Sequence, residues 1–447
     1  MKYLDGESLD DGELKLIIKK ALAQNMIIPV LIGSVEKNIG ISNFHQFIID
    51  NVPIPDVIEE KAALVFKTLA DSYLGKMTFF KVFGGEFSSE SIVTNPSREV
   101  DEKIGQIFFL RGKNQLNTPS VAAGDIAVIA KLQVSRTGDT LCSKNGNFIM
   151  EGINFPLPCL PVAISPKSKN DEDKLGTALA RLVDEDPTIS VTKNTETKQT
   201  ILSGIGEIQL DIVADKLAKK FGVAVQMEVP IVPYRETIKK LVKVEGKHKK
   251  QSGGHGQYGH VWITMEPNPE KEFEFTEKVF GGSVPKNYFP AVEKGLREAM
   301  REGILTGYPM TNIKFTLNDG SYHSVDSSEM AFKIAAILAY KKGAEIANPV
   351  LLEPIVEVEV KIPDNFMGDV IGDLNTKRGR VLGMEPDGKY QIIKANVPQA
   401  EMMRYSIDLK SITQGRGTFV TSFIGYDEVP AKLCETIVAK LKAQKEE

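Results

Sequence analysis

The chain has 447 residues, of which 42% are hydrophobic and 26% charged, and its formal net charge is −4. This length exceeds what a single hydrophobic core organises, and the nearly balanced charge excludes a general basic field for nucleic acid, so RNA contact would need local patches. Its three scattered cysteines form no CxxC pair, which excludes a disulfide framework or a zinc site and suits a reducing compartment.

The first segment, residues 1–56, begins without the apolar run of a signal peptide, and no stretch of the chain reaches the roughly 18 apolar residues of a membrane span. We therefore expect a cytoplasmic protein with no membrane partner. Hydrophobic spacing predicts helices over residues 13–23 and 42–51, with a buried strand over 27–32 between them. Two prolines close this α/β fragment near residue 56.

The remaining chain divides into four segments at proline-containing breaks. Residues 57–160 hold short β-branched and aromatic runs between Gly and Asp turns, which predict a β-barrel or sandwich. Residues 161–230 alternate helix and strand patterns and predict an α+β domain. A second α+β unit, residues 231–352, contains a lysine-rich strand, a glycine-rich loop and two helices, and the order of elements over 353–447 predicts a split βαβ sandwich.

The glycine-rich sequence SGGHGQYGH, residues 252–260, lies between two strand patterns, and its glycines would allow a sharp turn. Gly254, Gly256 and Gly259 also match the spacing of a kinase phosphate loop. No HRD or DFG motif follows, however, and a strand pattern stands where a dinucleotide fold needs a helix. A structural turn and a functional tip therefore both stay open for this loop.

The residues around this loop favour the functional tip. Its lysines would attract phosphates, and His255, Gln257, Tyr258 and His260 offer groups for stacking and hydrogen bonding, so we predict RNA contact here. Only one acid, Glu245, interrupts the basic run that precedes the loop: Lys239, Lys240, Lys243, Lys247, Lys249 and Lys250. The predicted basic patch consists of Lys247, Lys249 and Lys250.

The sequence DGSYHSVDSSE, residues 319–329, precedes a long apolar helix. Asp326 or Ser327 can cap that helix, so helix initiation alone explains most of the segment. Capping does not explain Tyr322 and His323, which by themselves are more typical of a surface than of a ligand site. The chain contains no GxSxG elbow and no metal-ligand spacing, so we predict neither a catalytic residue nor a metal site.

Taken in chain order, these segments resemble elongation factor G, from the C-terminal end of its GTP-binding domain through domains two to five. The resemblance rests on four motifs, at residues 253–261, 320–332, 368–375 and 413–419. It implies a multidomain α+β protein with these parts: a remnant of the α/β GTPase domain (1–56), a translation-type β-barrel (57–160), and two ferredoxin-like domains (161–230 and 353–447) flanking a domain that resembles domain four (231–352).

The resemblance also implies a function and a set of contacts. We expect a monomeric ribosome-binding elongation factor that promotes translocation of tRNA and mRNA, with both ribosomal subunits, ribosomal RNA and the tRNA–mRNA complex as partners. Ser34 and Val35 would be the remnant of a guanine-binding loop. The residues that the resemblance assigns to the decoding site are Gly254, His255, Gly256, Gln257, Tyr258, Ser321, Tyr322 and His323.

The sequence departs from the family pattern in ways that bear on catalysis. GTP and magnesium serve the intact family, but this sequence has no P-loop, no switch motif and no Asn-Lys-x-Asp motif, so we expect no cofactor and no GTPase activity for this chain alone. Gln209 and Asp211 also differ from the usual family residues and favour a specialised paralogue. Two functions stay open: the body of a translocase, or a GTP-independent ribosome-binding or protective factor. A tetracycline-protection factor fits less well, because the GGHGQYG loop is similar to that of elongation factor G.

Overall fold

The computed structural model describes residues 10–53, 57–71, 75–251 and 256–446. The chain divides into two compact units, Met1–Asn154 with Asp184–Asp186, and Phe155–Val183 with Pro187–Glu447. Within the described ranges, no helix combines the length and the apolar character needed to cross a lipid bilayer. The predicted multidomain α+β class is confirmed.

The first unit opens with two helices, α1 (Asp11–Ala23) and α2 (Ile41–Asn51), where the hydrophobic spacing predicts them. The strand predicted over residues 27–32 is wrong, because this stretch joins none of the sheets among the described residues. Ile28 and Ile32 are 88% and 94% exposed. An apolar run becomes a buried strand only where neighbouring strands take its backbone hydrogen bonds and another layer covers its side chains.

The rest of the first unit is built of short antiparallel strands around a core that includes Phe80, Val82, Ile107 and Ile129. The strands are β1 (Ala62–Asp71), β2 (Gly75–Gly84), β3 (Glu86–Ser88), β4 (Ile92–Asn95), β5 (Val100–Lys103), β6 (Ile107–Arg111), β7 (Asn114–Thr118), β8 (Ser120–Ala122), β9 (Ile126–Ala130) and β10 (Thr140–Cys142). Eight of them form a sheet in the order β5-β4-β10-β1-β2-β9-β6-β7, and β3 pairs with β8. Among the described pairings β5 and β7 do not meet, so the predicted β-rich domain is present as an open sheet rather than a closed barrel.

The second unit begins with a four-stranded sheet in the order β12-β13-β11-β14, covered by two helices. Its elements are β11 (Leu160–Pro166), α3 (Glu172–Glu185), β12 (Ser190–Lys193), β13 (Thr200–Gly204), α4 (Glu207–Phe221) and β14 (Val225–Glu228). The βαββαβ order and the antiparallel pairing are those of a split βαβ fold.

The next part of the second unit is a mixed four-stranded sheet in the order β16-β17-β19-β18, packed against two helices. Its elements are β15 (Arg235–Ile238), β16 (Val242–Lys250), β17 (Gln257–Pro267), β18 (Phe273–Glu277), α5 (Phe289–Ala299), β19 (Ile313–Ser321) and α6 (Glu329–Ile346). Strands β18 and β19 run parallel, and α5 lies in the crossover between them.

A last sheet repeats the split βαβ arrangement, with β21, β22, β20 and β23 in that order and β15 added beside β20. Its elements are β20 (Pro349–Pro363), α7 (Met367–Thr376), β21 (Arg380–Asp387), β22 (Tyr390–Pro398), α8 (Gln399–Met402), α9 (Tyr405–Ile412), β23 (Thr418–Glu428) and α10 (Ala431–Glu446). Alternate residues of β20, including Val358 and Val360, are fully buried beneath the helices.

Candidate nucleic-acid interface

Three loops meet at one end of the β16–β19 sheet, which we call the tip. The register pairs Lys250 with Gln257 and His260 with Ser321, so the strand ends that flank the β16–β17 loop lie beside the start of the β19–α6 loop. Strand β18 runs parallel to β19 and its last residue pairs with Leu317, so the β18–α5 loop leaves the sheet at the same end. The topology therefore brings together the two segments that the sequence singles out.

Hydrogen bonds join the start of β17 and Gly256 before it to the β19–α6 loop. The Tyr258 N–H donates to the Asp326 carbonyl oxygen at 2.8 Å, and the Gly256 N–H donates to Asp326 Oδ1 at 3.0 Å. Ser327 Oγ donates to the Tyr258 carbonyl oxygen at 2.9 Å. The prediction that Asp326 or Ser327 caps the helix is wrong: Ser328 caps α6, and its Oγ accepts from the Ala331 N–H at 3.2 Å. Asp326 and Ser327 instead join the two loops.

Ser321 lies at the centre of a short polar chain on the sheet. Its Oγ is 2.7 Å from the Tyr258 hydroxyl and 2.7 Å from His260 Nδ1. On the other side of that ring, His260 Nε2 is 3.0 Å from Glu245 Oε1. These contacts fix the ring orientations of Tyr258 and His260, so any molecule that reaches this end of the sheet meets a preorganised aromatic pair.

His323 holds the β19–α6 loop while remaining accessible. Its Nδ1 lies 3.3 Å from the Val325 N–H and 3.2 Å from the Asp326 N–H, and it accepts from both in the neutral ring. The proton of that neutral ring is then on Nε2, which leaves a donor for an external acceptor. The side chain is 53% exposed, and its ring centroid lies 6.4 Å from that of Tyr258. Tyr322 beside it is 51% exposed.

The predicted basic patch is distributed over both faces of β16. Lys247 and Lys249 are exposed and stand opposite His260 and Tyr258 in the register, whereas Lys250 belongs to the other face. Gln257 is exposed at the start of β17, where its Oε1 is 2.9 Å from His248 Nε2. The predicted contact residues Gly254 and His255 lie outside the described residues.

Two glycines of the predicted turn have a packing role. A Cβ atom on Gly259 would lie 2.4 Å from the Ala331 carbonyl oxygen, so only glycine allows α6 to approach β17 this closely. A Cβ atom on Gly256 would lie 2.9 Å from Asp326 Cγ, inside the contact that joins the loops. The glycine spacing therefore serves the seating of α6 and of its preceding loop.

The β18–α5 loop is a component of the tip that sequence reasoning missed. Its Phe280 is 94% exposed, whereas Val284 at the other end of the loop is 1% exposed and belongs to the core. Ser283 Oγ donates to Asp319 Oδ1 at 2.6 Å and ties the loop to β19. The sequence signal was an aromatic residue directly before two glycines, both of which adopt positive φ angles.

The remaining predicted residues are in the first unit. Ser34 pairs with Ile39 in an isolated antiparallel bridge, and its Oγ accepts from the Lys37 N–H at 3.3 Å. Val35 is 85% exposed. Their assignment to a guanine-binding loop stays a prediction. Within the described part of the chain, no group of three or more His, Cys, Asp or Glu side chains is placed to hold a metal ion.

Comparison with known proteins relates four consecutive parts of the fold, from residue 60 onward, to one family. Family models match in chain order: elongation factor G domain 2 at residues 60–144, domain III at 155–229, domain IV at 230–348 and the elongation factor G C-terminus at 350–437. The chain is also similar to a protein from Thermus thermophilus of known crystal structure, with 36% sequence identity and a TM-score of 0.74. That alignment covers 99% of this chain and 67% of the Thermus protein.

Proposed function

The chain belongs to the elongation factor G family, and on that premise we propose that it binds the ribosome and promotes the movement of tRNA and mRNA. The observation that carries the proposal is the joining of two loops, distant in sequence, into one preorganised tip. Tyr258, Ser321 and His323 are held there by hydrogen bonds, while Tyr322 and His323 remain accessible.

The chemistry of the tip suits an RNA target. Phosphates are attracted by the exposed lysines of β16, and nucleobases can stack on the exposed aromatic rings or accept from the imidazole N–H. Hydrogen bonds from Gly256 and between Tyr258 and Ser327 already hold these described residues of the tip together, which reduces the conformational entropy that they lose on binding. An RNA-binding tip on a translation-factor body supports a role at the site where tRNA and mRNA meet.

The basic patch provides the first test of ribosome binding. Changing Lys247, Lys249 and Lys250 together to Ala should weaken binding of the chain to ribosomes in a sedimentation assay. The slope of log affinity against log salt concentration should fall in magnitude by about 2, because each phosphate contact contributes roughly 0.7 to 0.9.

A matched control removes the same charge from the helical side of the same domain. Lys294, Lys341 and Lys342 are carried by α5 and α6, away from the tip loops. Their joint replacement by Ala should leave the salt slope of ribosome binding near the parent value. Equal losses for the two triple variants would show that net charge alone attracts the chain, and would contradict a specific contact at the tip.

A further inference from the structure

The β16–β19 sheet has two faces of different character. On β17, the buried residues Gly259, Val261 and Ile263 alternate with the half-buried Tyr258, His260 and Trp262. Because successive side chains of a strand point to opposite faces, the first set lies beneath α6 and the second set lies on the other side. We call that other side the open face.

The open face combines aromatic rings with lysines. The register places Lys249 beside Tyr258 and Lys247 beside His260, and the Lys243 ammonium is 5.8 Å from the ring centroid of Trp262. Trp262 is the single tryptophan of the chain. Tyr258 and Trp262 are four residues apart on one strand, which separates them by about 13 Å along the face.

Two carboxylates, Glu245 and Asp319, share this part of the open face with the three lysines, and the register places both opposite Trp262. Glu245 lies beside His260, as described above. Asp319 accepts from Ser283 Oγ at 2.6 Å and from the Gly320 N–H at 2.8 Å. These hydrogen bonds, with that from Ser283 the larger, lower the pKa of Asp319, so it stays ionised and satisfied. Three lysines against two carboxylates leave this part of the open face with one excess positive charge, which favours an incoming anion.

We propose that the open face binds a single-stranded segment of RNA, with a base stacked on Trp262 and its phosphates against Lys243 and Lys247. A single strand is favoured because bases within a duplex cannot offer their flat sides to a protein ring. The open-face positions of β16, β17 and β19 include no aliphatic residue, so the face offers little to the apolar anchors of a protein partner. The inference rests on the proposed RNA partner but does not require translocation.

The single tryptophan makes this face directly observable. Titration of the protein with an oligouridylate of about ten nucleotides should quench Trp262 fluorescence to a plateau, and added salt should weaken the effect. Binding of the same RNA with a fluorescent label should be about fivefold weaker or worse for Trp262→Ala, and within about twofold of the parent for Trp262→Phe, which retains a stacking ring. Lys243→Gln should weaken the quenching, and Lys341→Gln, on α6, should not.

Two results would overturn the proposal: an unquenched Trp262 at saturating RNA, or parent-like RNA affinity for Trp262→Ala. Quenching by an oligoglutamate peptide without quenching by RNA would overturn it in favour of an acidic protein partner. If circular dichroism shows that Trp262→Ala is unfolded, Lys243→Gln and its control decide the question in folded proteins. Ribosome sedimentation of the parent protein tests the proposed function separately. Ribosome binding without a Trp262 response to RNA would contradict RNA binding at the open face and leave the proposed function standing.

Discussion

We propose two tasks for His323, one for each nitrogen atom of its ring. Nδ1 holds the loop by accepting from backbone N–H groups, and Nε2 is left to donate outward. An asparagine at this position would offer a side-chain oxygen to the same N–H groups, as in Asx turns, but would place no donor where Nε2 lies. The two tasks can therefore be separated by substitution.

We expect both His323→Ala and His323→Asn, in a chain joined to a complete GTP-binding domain, to slow translocation by about tenfold, which corresponds to about 1.4 kcal/mol of barrier. GTP hydrolysis should be nearly unchanged, and only the Ala variant should lose thermal stability. Single-turnover translocation kinetics would measure the first effect and thermal unfolding the second. A stable variant that translocates at the parent rate would remove His323 from the RNA contact.

The buried phenol of Tyr234 predicts how the stability of the protein depends on pH. Its ring packs edge-on against Tyr308 at 5.6 Å between centroids, and burial, reinforced by Glu353, raises the pKa of Tyr234 to about 12. Folding favours the neutral phenol, so this stabilisation is complete below pH 10 and is lost as the pH rises towards 12. Urea midpoints over this range should fall less steeply for Tyr234→Phe than for the parent, and identical slopes would contradict the assignment.

At the scale of elements, the contact between β17 and α6 holds the tip in place. The Cβ atom of Gly259→Ala would meet backbone atoms of Ala331 at 2.4 and 2.5 Å, and backbone cannot move aside as a flexible side chain can. We expect a loss of about 1–3 kcal/mol, as for other overpacked cores. The urea transition seen by Trp262 fluorescence, which reports on this sheet, would measure it.

Gly372→Ala provides the control for this substitution. Gly372 lies within α7, and a Cβ atom there would meet no atom within 4 Å. The Trp262 transition should therefore be unchanged in Gly372→Ala, while the last domain gains roughly 0.5–1 kcal/mol from the better helix former. An equal shift of the Trp262 transition in both variants would mean that steric contact with α6 is not the cause.

Elements with local signals could be predicted from the sequence, and those that depend on distant partners could not. A long apolar helix was predicted after the DGSYHSVDSSE segment, and α6 spans Glu329–Ile346, because apolar spacing is a local property. The strand predicted over residues 27–32 was wrong because strand formation needs partners from elsewhere in the chain.

At the tip, some side-chain roles also depend on distant partners and could not be predicted from the local sequence. Three successive residues, Asp326, Ser327 and Ser328, can each cap a helix, and only the distant contact with Tyr258 determines that Ser328 does so. The loop that carries Phe280 was missed because its place at the tip follows from the parallel pairing of β18 with β19, which spans about 40 residues of sequence.

At the scale of the whole molecule, GTP hydrolysis and ribosome binding can be tested separately. We expect the purified chain to release no phosphate from GTP, with or without ribosomes, because it contains no P-loop, switch or Asn-Lys-x-Asp motif. A phosphate-release assay would measure this, with ribosomes alone as the background control. Ribosome-stimulated release above that background would contradict the prediction. Ribosome binding without nucleotide would favour the GTP-independent function over the translocase body.

Helix α6 is capped by Ser328, within the tip, and its 18 residues extend about 27 Å before the chain enters β20. Two residues, the helix C-cap Ala347 and Asn348, separate α6 from the first residue of β20. The φ angle of Asn348 is +55°. The Lys239 and Lys240 N–H groups donate to carbonyl oxygens at this junction. The helix therefore connects the tip directly to the C-terminal sheet, and a force applied to the tip would be transmitted along α6 to residue 348 and the first residues of β20.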